Sequence, residues 1–407
     1  MRFARFARFA RFARSARSAR SAVIVDVVRT PSGKGKAGGG LSDVHPATLL
    51  AGVLAELVAR NDLDPAMVDD VVGGCVTQSG EQAFNISRTA ALAAGFPESV
   101  PATTVDRQCG SSQQAAHFAA QGVIAGAYDI AIACGVESMS RAPMFSNGQG
   151  KDANRGPLAH RYPDGLIQQG IAAEVISARW KFDRTALDEF AARSHQLAAR
   201  AAAAGGFDNE LVPAGALTAD ETIRPSTTGE SLAKLRPAFA DDQYTTRFPE
   251  IEWSITPGNS SPLTDGASAA LIMSEEAAAK LGLRPRARFH SFAVVGDDPL
   301  LMLTAVIPAT RKVLERAGLG IDDIDAYEVN EAFAPVPLVW QHELNADPQR
   351  LNPRGGAIAL GHPLGASGTR ILATLVNHLE QTGSRYGLQT MCEAGGLANA
   401  TIIERLG

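Results

Sequence analysis

Blocks of apolar residues alternate with mixed blocks along most of this chain, and their spacing predicts strands and helices in turn. Residues 22–28 form an apolar, β-branched run, which predicts a buried strand of the parallel kind. The following blocks predict helices over 47–59 and 85–94, strands over 71–76, 102–105 and 130–134, and an Ala-rich helix from residue 109 to about 125. This alternation predicts an α/β sheet with helices on its faces.

The C-terminal part repeats that order. It predicts strands over residues 287–294, 326–329 and 388–392 and helices over 305–317 and 369–379. Residues 53–74 and 310–331 share one layout of helix, short acidic linker and strand, which indicates a weak internal duplication. Between the two halves, residues 141–263 differ in composition. Two predicted helices (169–179 and 185–203) lie there among Gly-, Asn- and Pro-rich or polar stretches.

The first 21 residues are predicted to lie outside the fold. After Met1 they repeat Arg-Phe-Ala and then Arg-Ser-Ala, with seven Arg and no acidic residue. A period of three turns a helix by about 300°, so Arg drifts around the whole circumference and no lasting amphipathic face forms. This predicts a low-complexity, disordered extension. A transit peptide is the alternative, since such segments are also Arg-rich and acid-free.

Composition narrows the class of protein. A chain of 407 residues, 45% hydrophobic and 20% charged, is typical of a soluble globular protein of two or three domains. Without the N-terminal arginines the formal net charge is −12, which argues against nucleic-acid binding. No apolar run reaches the ~18 residues of a membrane span. The four cysteines lie far apart without metal-type spacing, which favours reduced thiols, a cytoplasmic location and no metal site.

Four stretches carry candidate chemistry. His362 lies in a glycine-dense turn (355–368) directly ahead of a predicted helix, whose free N–H groups favour an anion. Cys109 opens the Ala-rich helix, where a helix N-terminus lowers a thiol pKa and makes a nucleophile. Asn330 follows a strand, and an amide there can hold a water or donate to an oxyanion. Cys392 precedes a flexible Glu-Ala-Gly-Gly turn.

These motifs, in this order, resemble those of the thiolase family: a Cys at a helix start, Asn-Glu-Ala-Phe, Gly-His-Pro-x-Gly-x-Ser-Gly, and a late Cys before Gly-Gly. The likeness covers residues 22–407. It implies an α/β fold of two duplicated βαβαβ halves in a five-layered α-β-α-β-α core. The halves would be residues 22–285 and 286–407, with a coenzyme A-binding loop domain inserted at about 141–263.

The resemblance also implies roles for individual residues. Cys109 would be the nucleophile, and His362 would activate it and donate to an oxyanion. Asn330 would position a water in that same oxyanion hole, and Cys392 would protonate or deprotonate the acetyl-CoA carbon. The backbone N–H groups of Cys109 and Ala394 would donate to oxyanions. Coenzyme A and acyl-CoA would be substrates, with no tightly bound cofactor, and the assembly would be a homodimer or homotetramer.

Contacts with coenzyme A are implied in the same way. Matching segments of the loop domain assign Arg224 and Ser231 to coenzyme A, and Ser261, with the neighbouring Gly258, to its pantetheine arm. Ala332 and Phe333 of the Asn-Glu-Ala-Phe motif would line the substrate site.

Two positions depart from the family pattern. Ser112 stands where related sequences have Gly, and Ala394 stands where Gly is frequent. If residue 394 requires a positive φ, Ala there costs roughly 1 kcal/mol. Slower or shifted activity is then expected, since the N–H remains.

Several alternatives stay open. A β-ketoacyl synthase shares the architecture but lacks a late catalytic Cys, so Cys392 argues against it. A non-catalytic acyl-CoA-binding protein is disfavoured because all four catalytic side chains are present, and a cysteine hydrolase leaves the loop segments unexplained. Among thiolases, residues 73–88 and the terminal Thr-Ile-Ile-Glu-Arg-Leu resemble lipid-degrading enzymes, including those that act on steroid side chains. An enzyme confined to acetoacetyl-CoA is the other choice.

Overall fold

The computed structural model describes residues 20–152 and 156–407. The predicted disordered extension therefore lies outside the described residues, except for its last two. Of these, Arg20 forms an ion pair with Asp129 on the folded body. Among the described helices, none combines the length and apolar character needed to cross a membrane.

One mixed sheet runs through the described residues. Its strands are β1 Ala22–Arg29, β2 Gly33–Lys34, β3 Asp70–Gly74, β4 Ala102–Val105, β5 Ile130–Ser138, β6 Thr264–Ser274, β7 Ala287–Gly296, β8 Ala326–Val329, β9 Tyr386–Glu393 and β10 Leu397–Arg405. They lie in the order β4-β3-β5-β6-β1-β7-β10-β9-β8, and β2 pairs with β6. The predicted α/β class is confirmed, and two strands that the sequence pattern missed, β6 and β10, occupy central positions.

The sheet makes the internal duplication visible. Strand β1 meets β7 over only two register pairs, and on either side the order repeats as β1-β6-β5-β3 and β7-β10-β9-β8. Strand β1 is buried as predicted, but its expected parallel pairing is wrong, because it runs antiparallel to both β6 and β7. An unbroken apolar run indicates that both faces of the strand are covered. It does not indicate whether the neighbouring strands run parallel or antiparallel to it.

Helices cover and separate the two halves. They are α1 Pro46–Arg60, α2 Ile86–Ala93, α3 Ser111–Ala125, α4 Pro157–Arg161, α5 Gln169–Trp180, α6 Arg184–Ala203, α7 Gly229–Ala233, α8 Asp242–Arg247, α9 Glu275–Leu281, α10 Val306–Ala317, α11 Pro335–Leu344, α12 Ala357–Leu360 and α13 Ser367–Thr382. One apolar cluster packs α3 and α13 between strands of both halves. Helices α1 and α2 cover the outer face of one half, and α10 and α11 that of the other. The packing is thus the five-layered arrangement.

Helices α4 to α8 lie between β5 and β6, where the inserted loop domain is predicted. A buried ion-pair cluster joins this segment to the core. Arg29, at the end of β1, bonds the Glu210 carboxylate at 2.6 Å and the Asp220 carboxylate at 2.7 Å. Its guanidinium also lies 5.2 Å from the centre of the Phe207 ring. Removing one partner of such a desolvated pair typically costs about 3–5 kcal/mol, so the segment is held firmly at this point.

Candidate active site

A tight turn positions Cys109 ahead of α3. Gln108 adopts a left-handed φ of 48°, which is uncommon for a residue with a side chain. The Ser111 hydroxyl accepts a hydrogen bond from the Arg107 N–H at 2.9 Å and donates one to the Gln108 carbonyl at 2.6 Å. These bonds hold the turn closed and place the Cys109 thiol, 3% exposed, at the wall of a large cavity.

Hydrogen bonds fix the ring of His362 in one tautomer. The Ser367 hydroxyl donates its single proton to the Pro363 carbonyl at 2.8 Å. At its 2.6 Å contact with His362 Nδ1 it must therefore accept, so the ring proton sits on Nδ1. The amide of Asn330 then donates to the bare Nε2 at 3.3 Å. Nε2 is left as the acceptor that can take a proton from a thiol.

Burial controls the protonation of this pair. It raises the pKa of the Cys109 thiol to about 12, with Glu393 adding to the rise, while a hydrogen bond from Gln169 opposes it. It lowers the pKa of His362 to about 3, with Arg370 contributing. The expectation that the helix N-terminus lowers the Cys109 pKa is wrong for this resting arrangement, because desolvation of the thiolate outweighs the dipole. The resting pair is a neutral thiol and a neutral imidazole.

Cys392 ends strand β9 close to Cys109. Burial raises its pKa well above the ordinary value, and the nearby Cys109 adds to the effect. The turn that follows contains Gly395 at φ 84° and Gly396 at φ 77°, whereas Ala394 does not adopt a positive φ. The strain considered for Ala394 is therefore absent, and Ala394 lines the same cavity as Cys109 and His362.

The N-terminal ends of α3 and α13 meet beside these residues. A side chain on Gly368 would lie 2.0 Å from the Gln113 nitrogen, so only glycine permits this approach. The Thr369 N–H donates to the Ser112 hydroxyl at 3.1 Å, which gives the departure at position 112 a structural role. Helix α3 of one half and helix α13 of the other therefore begin beside one site.

Two buried carboxylates tie the surrounding loops together. Glu137 accepts hydrogen bonds from the N–H groups of Val76, Thr77 and Gly365 at 2.9, 2.9 and 2.8 Å. It thereby links the loop after β3 to the glycine-dense turn of His362. Glu331, next to Asn330, plays the same part for three other segments, which include the N-terminus of α12.

The cavity has a volume of about 770 Å³. Its walls combine two of the catalytic candidates, Cys109 and His362, with apolar side chains and the loop that follows Asn259, whereas Asn330 and Cys392 lie behind this lining. Besides Cys109, His362 and Ala394, its lining includes Met139, Met144, Phe145, Gln169, Phe239, Ser261, Leu263, Ala332 and Phe333. A mostly apolar pocket with a few convergent polar groups is the usual form of a small-molecule site.

Comparison with known families decides the assignment. Residues 22–276 match the family described as thiolase, N-terminal domain, and residues 283–405 match thiolase, C-terminal domain. The chain belongs to the thiolase family.

Individual relatives can be aligned with this thiolase over nearly its whole length. It is 46% identical to the steroid 3-ketoacyl-CoA thiolase FadA6 of Mycobacterium tuberculosis, covering 95% of this chain and 94% of that one. It is 45% identical to the 3-ketoacyl-CoA thiolase of Serratia proteamaculans, covering 94% and 99%. Among solved structures, the acetyl-CoA acetyltransferase of Bacillus anthracis matches with a TM-score of 0.84 and 36% identity, covering 95% and 99%.

The residues predicted to contact coenzyme A are spread over two cavities and the surface beyond them. Ser261, Ala332 and Phe333 line the cavity, and the Ser261 hydroxyl donates to the Ala332 carbonyl at 3.1 Å. Arg224 lines a neighbouring, smaller cavity. The Ser231 hydroxyl is engaged with Thr228 in the N-terminal cap of α7, outside both cavities, and its contact with coenzyme A stays a prediction.

Gly258 also lies outside both cavities, and its contact with coenzyme A stays a prediction. A side chain on Gly258 would meet Leu235 at 2.6 Å and Leu232 at 2.7 Å. Glycine at this position is explained by close packing of the loop against α7 and the segment that follows it.

Sequence reasoning missed several residues of the site. Gln169, at the start of α5, forms a side-chain hydrogen bond with the Cys109 thiol. The Thr264 hydroxyl accepts a hydrogen bond from the backbone N–H of His362 at 3.0 Å. Ser367 lies within the His motif, and its spacing of five residues from His362 was the one signal that could have revealed it. Gln169 and Thr264 come from distant segments, and nothing in their local sequence pairs them with a cysteine or a histidine.

Proposed function

We propose that this thiolase cleaves 3-ketoacyl-CoA with coenzyme A, giving acetyl-CoA and a shortened acyl-CoA, through an acyl group carried on Cys109. The observation that carries the proposal is the shared site of two cysteines from opposite halves, Cys109 and Cys392, beside the His362–Asn330 pair. A nucleophile, a proton acceptor and a second thiol acid are the groups that this reaction requires.

In the first half-reaction the Cys109 sulfur bonds to the ketone carbon while its proton passes to Nε2 of His362. Donors near the developing oxyanion are each worth roughly 3 kcal/mol of barrier, and in this proposal Asn330 holds a water there. The carbon–carbon bond then breaks, and the Cys392 thiol protonates the leaving enolate of acetyl-CoA. In the second half-reaction, the Cys392 thiolate takes the proton of the coenzyme A thiol, and the coenzyme A sulfur attacks the Cys109 thioester. The shortened acyl-CoA is released, and the departing Cys109 sulfur regains its proton from His362.

The substrate proposed is a 3-ketoacyl-CoA of fatty or steroid origin, which would place the enzyme in β-oxidation in the cytoplasm. Support comes from relatives named 3-ketoacyl-CoA thiolase at 45–46% identity and from the apolar walls of the 770 Å³ cavity. All four cysteines are free thiols, as expected of a reducing compartment. An acetyl-CoA C-acetyltransferase confined to acetoacetyl-CoA is the second candidate, favoured by the solved structure at 36% identity.

The deciding experiment compares coenzyme A-dependent cleavage of acetoacetyl-CoA with that of a longer 3-ketoacyl-CoA, and Cys109→Ala serves as the control. A clearly higher kcat/KM for the longer substrate supports the degradative enzyme, and activity confined to acetoacetyl-CoA supports the acetyltransferase. Binding of coenzyme A without cleavage of either would overturn the catalytic proposal in favour of a binding protein.

We also propose a homo-oligomer in which the edge strand β4 faces a second copy. Among the described strands, β4 pairs only with β3 and is flanked by exposed apolar side chains. Phe84 is 96% exposed, and Phe118 and Ile124 on α3 are 42% and 41% exposed. Open edges and such patches are normally covered. Sedimentation analysis should give a dimer or tetramer that Phe84→Ser weakens, and a monomeric wild type would contradict this arrangement.

A further inference from the structure

Gln169 touches the reacting sulfur of the site, but the proposed mechanism gives it no role. It is the first residue of α5, within the inserted segment between β5 and β6. Its side chain forms a hydrogen bond with the Cys109 thiol, and both residues line the active-site cavity. The inserted segment therefore reaches the nucleophile itself, and not only the space that a substrate fills.

The start of α5 is held firmly in place. A side chain on Gly170 would collide with the Phe239 ring, so the helix packs directly on another wall of the cavity. One turn further on, the buried Glu174 carboxyl group accepts hydrogen bonds from the backbone N–H groups of Ser254 and Ile255, each at 2.8 Å. Because these contacts fix the first turns of the helix, Gln169 is presented to the sulfur from a fixed backbone.

The NH₂ group of Gln169 is the part of the amide that suits this contact. The thiol has one proton, which the proposed mechanism passes to His362. An amide oxygen that accepted this proton would hold it away from Nε2, whereas the NH₂ group can donate to a lone pair of the sulfur. The bond lowers the pKa of Cys109, which is the effect of a donor, because a donor favours the thiolate.

Several features around Cys109 disfavour negative charge on its sulfur. Burial raises its pKa, and the carboxyl groups of Glu393 and Glu137 add to the rise. The Glu393 carboxyl group lies against the backbone of the next residue, Gly110, where an added side chain would collide with Glu393 Oε1. In such a buried site a hydrogen bond to the sulfur is electrostatically stronger than in water, so one donor has a large effect.

We propose that Gln169 is a further catalytic residue, whose amide donates to the Cys109 sulfur whenever that sulfur carries negative charge. The inference rests on the proposed function, in which Cys109 carries the acyl group. In the first half-reaction the sulfur bonds to the ketone carbon as its proton passes to Nε2 of His362. Gln169 stabilises the charge that develops on the sulfur before the new bond is complete.

The second half-reaction makes the larger demand on Gln169. The coenzyme A sulfur adds to the thioester carbon, the bond from that carbon to the Cys109 sulfur breaks, and the bonding electron pair returns to Cys109. Until the proton comes back from His362, the departing sulfur holds this charge in a buried site. The Gln169 N–H acts on the leaving sulfur as an oxyanion donor acts on oxygen.

Alkylation of Cys109 by iodoacetamide at about pH 8 tests the donor without any acyl-CoA, because the thiolate is the reacting form. Gln169→Met removes the amide, and Gln169→Glu keeps its size but presents a carboxylate in place of the NH₂ group. Both should slow alkylation roughly ten- to hundredfold, the range expected for one hydrogen bond to a charged group. Gln168→Ala is the matched control and should react like wild type, because Gln168 is exposed and its side chain makes no capping bond to α5.

Transfer of an acetyl group from the acetylated enzyme to coenzyme A should slow by a similar factor in both Gln169 variants, with KM for coenzyme A little changed. An alkylation rate equal to that of wild type in both variants would overturn the proposal. Slowing in only one of them would also overturn it, because cavity shape or added negative charge would then be responsible. Alkylation needs no cleavage, so a wild type that fails to cleave 3-ketoacyl-CoA counts against the proposed function, whereas the alkylation rates decide the role of Gln169.

Discussion

At the scale of single residues, Cys109 and His362 are held in their neutral forms by burial, and the reaction must move a proton between them. The raised pKa of Cys109, about 12, and the lowered pKa of His362, about 3, mean that an ion pair is not formed in advance. In the proposed mechanism, proton transfer then accompanies the attack on the carbonyl carbon. The bond from Nδ1 to Ser367 leaves Nε2 unprotonated, so that Nε2 can accept this proton in place of the hydrogen bond from Asn330.

Replacing Ser367 with Ala should therefore lower kcat with little change in KM for coenzyme A. The Nδ1–H of His362 would lose its acceptor, and an unsatisfied buried group costs about 1–3 kcal/mol, or roughly a ten- to hundredfold change in rate. Steady-state kinetics checks this against Thr382→Ala, which removes a hydroxyl from the far end of the same helix. Equal kcat in wild type and Ser367→Ala would show that the ring orientation does not depend on Ser367.

Alkylation of Cys109 by iodoacetamide should show the high thiol pKa directly. Below that pKa the thiolate fraction grows about tenfold for each pH unit, so the inactivation rate should still be rising near pH 9. Peptide mapping identifies the alkylated residue, and Cys109→Ala gives the background. A rate that levels off near neutral pH would mean that a thiolate is already present in the resting enzyme.

The four residues proposed to be catalytic could be located from the sequence because each lies in a compact motif whose neighbours explain its chemistry. Cys109, Asn330, His362 and Cys392 all fall beside a helix start or a strand end. The pKa of Cys109 could not be predicted, because it depends on burial by segments far along the chain. Gln169 and Thr264 were missed for the same reason, since only the fold brings them to Cys109 and His362.

At the scale of elements, the site depends on how closely α3 and α13 approach. Gly368 lies against the Gln113 nitrogen, and Gly365 lies against the Val136 and Gly74 carbonyls. Both contacts are with backbone, which cannot move aside as a side chain can. The glycine-dense motif of His362 is therefore explained first by packing between the two helix N-termini.

Gly368→Ala should lower the free energy of unfolding by at least about 1–3 kcal/mol, because its methyl group overpacks a backbone contact, and activity should fall with it. Gly52→Ala is the matched control. Gly52 lies inside α1 with no atom within 4 Å of an added Cβ, so Ala there should stabilise by up to about 1 kcal/mol. Urea denaturation measures both, and similar values for the two variants would contradict the close approach of the helices.

Sequence pattern located most elements and missed some central ones. Strands β4 and β8 have the predicted bounds, and α1, α6, α10 and α13 lie within a few residues of prediction. Strand β6 was missed because its Ala, Ser and Gly residues have low strand propensity, and packing between layers overrides that preference. Strand β10 follows β9 after a short Gly-rich turn, where the pattern of the terminal residues was not interpreted as a separate strand.

At the scale of the whole molecule, buried titratable groups couple stability to pH in two opposite directions. Burial lowers the pKa of His117 to about 3, so the unfolded chain binds the extra proton as the pH falls below its ordinary value. Burial raises the pKa of Glu328 to about 8, so the folded chain holds a proton that the unfolded chain releases above about pH 4.5. His117 therefore favours folding above about pH 6.5, and the contribution of Glu328 declines between about pH 4.5 and 8.

Two variants should separate these effects by thermal denaturation across pH. The Tm advantage of wild type over His117→Gln should shrink as the pH falls from about 7 to 5. Glu328→Gln should gain on wild type as the pH rises from about 5 to 8. Differences that do not vary with pH for either variant would mean that the two groups titrate alike in the folded and unfolded chains.

The most direct test of the central claim is to find where the acyl group is carried. The enzyme is incubated with acetyl-CoA, and intact mass and peptide mapping locate the acetyl group. One acetyl group is expected on Cys109 in wild type and in Cys392→Ala. Cleavage of 3-ketoacyl-CoA by Cys392→Ala should nevertheless be roughly 10²–10⁴-fold slower, because this variant lacks the thiol that protonates the leaving enolate. Acetylation of Cys392, or acetylation that persists in Cys109→Ala, would contradict the assignment of the nucleophile.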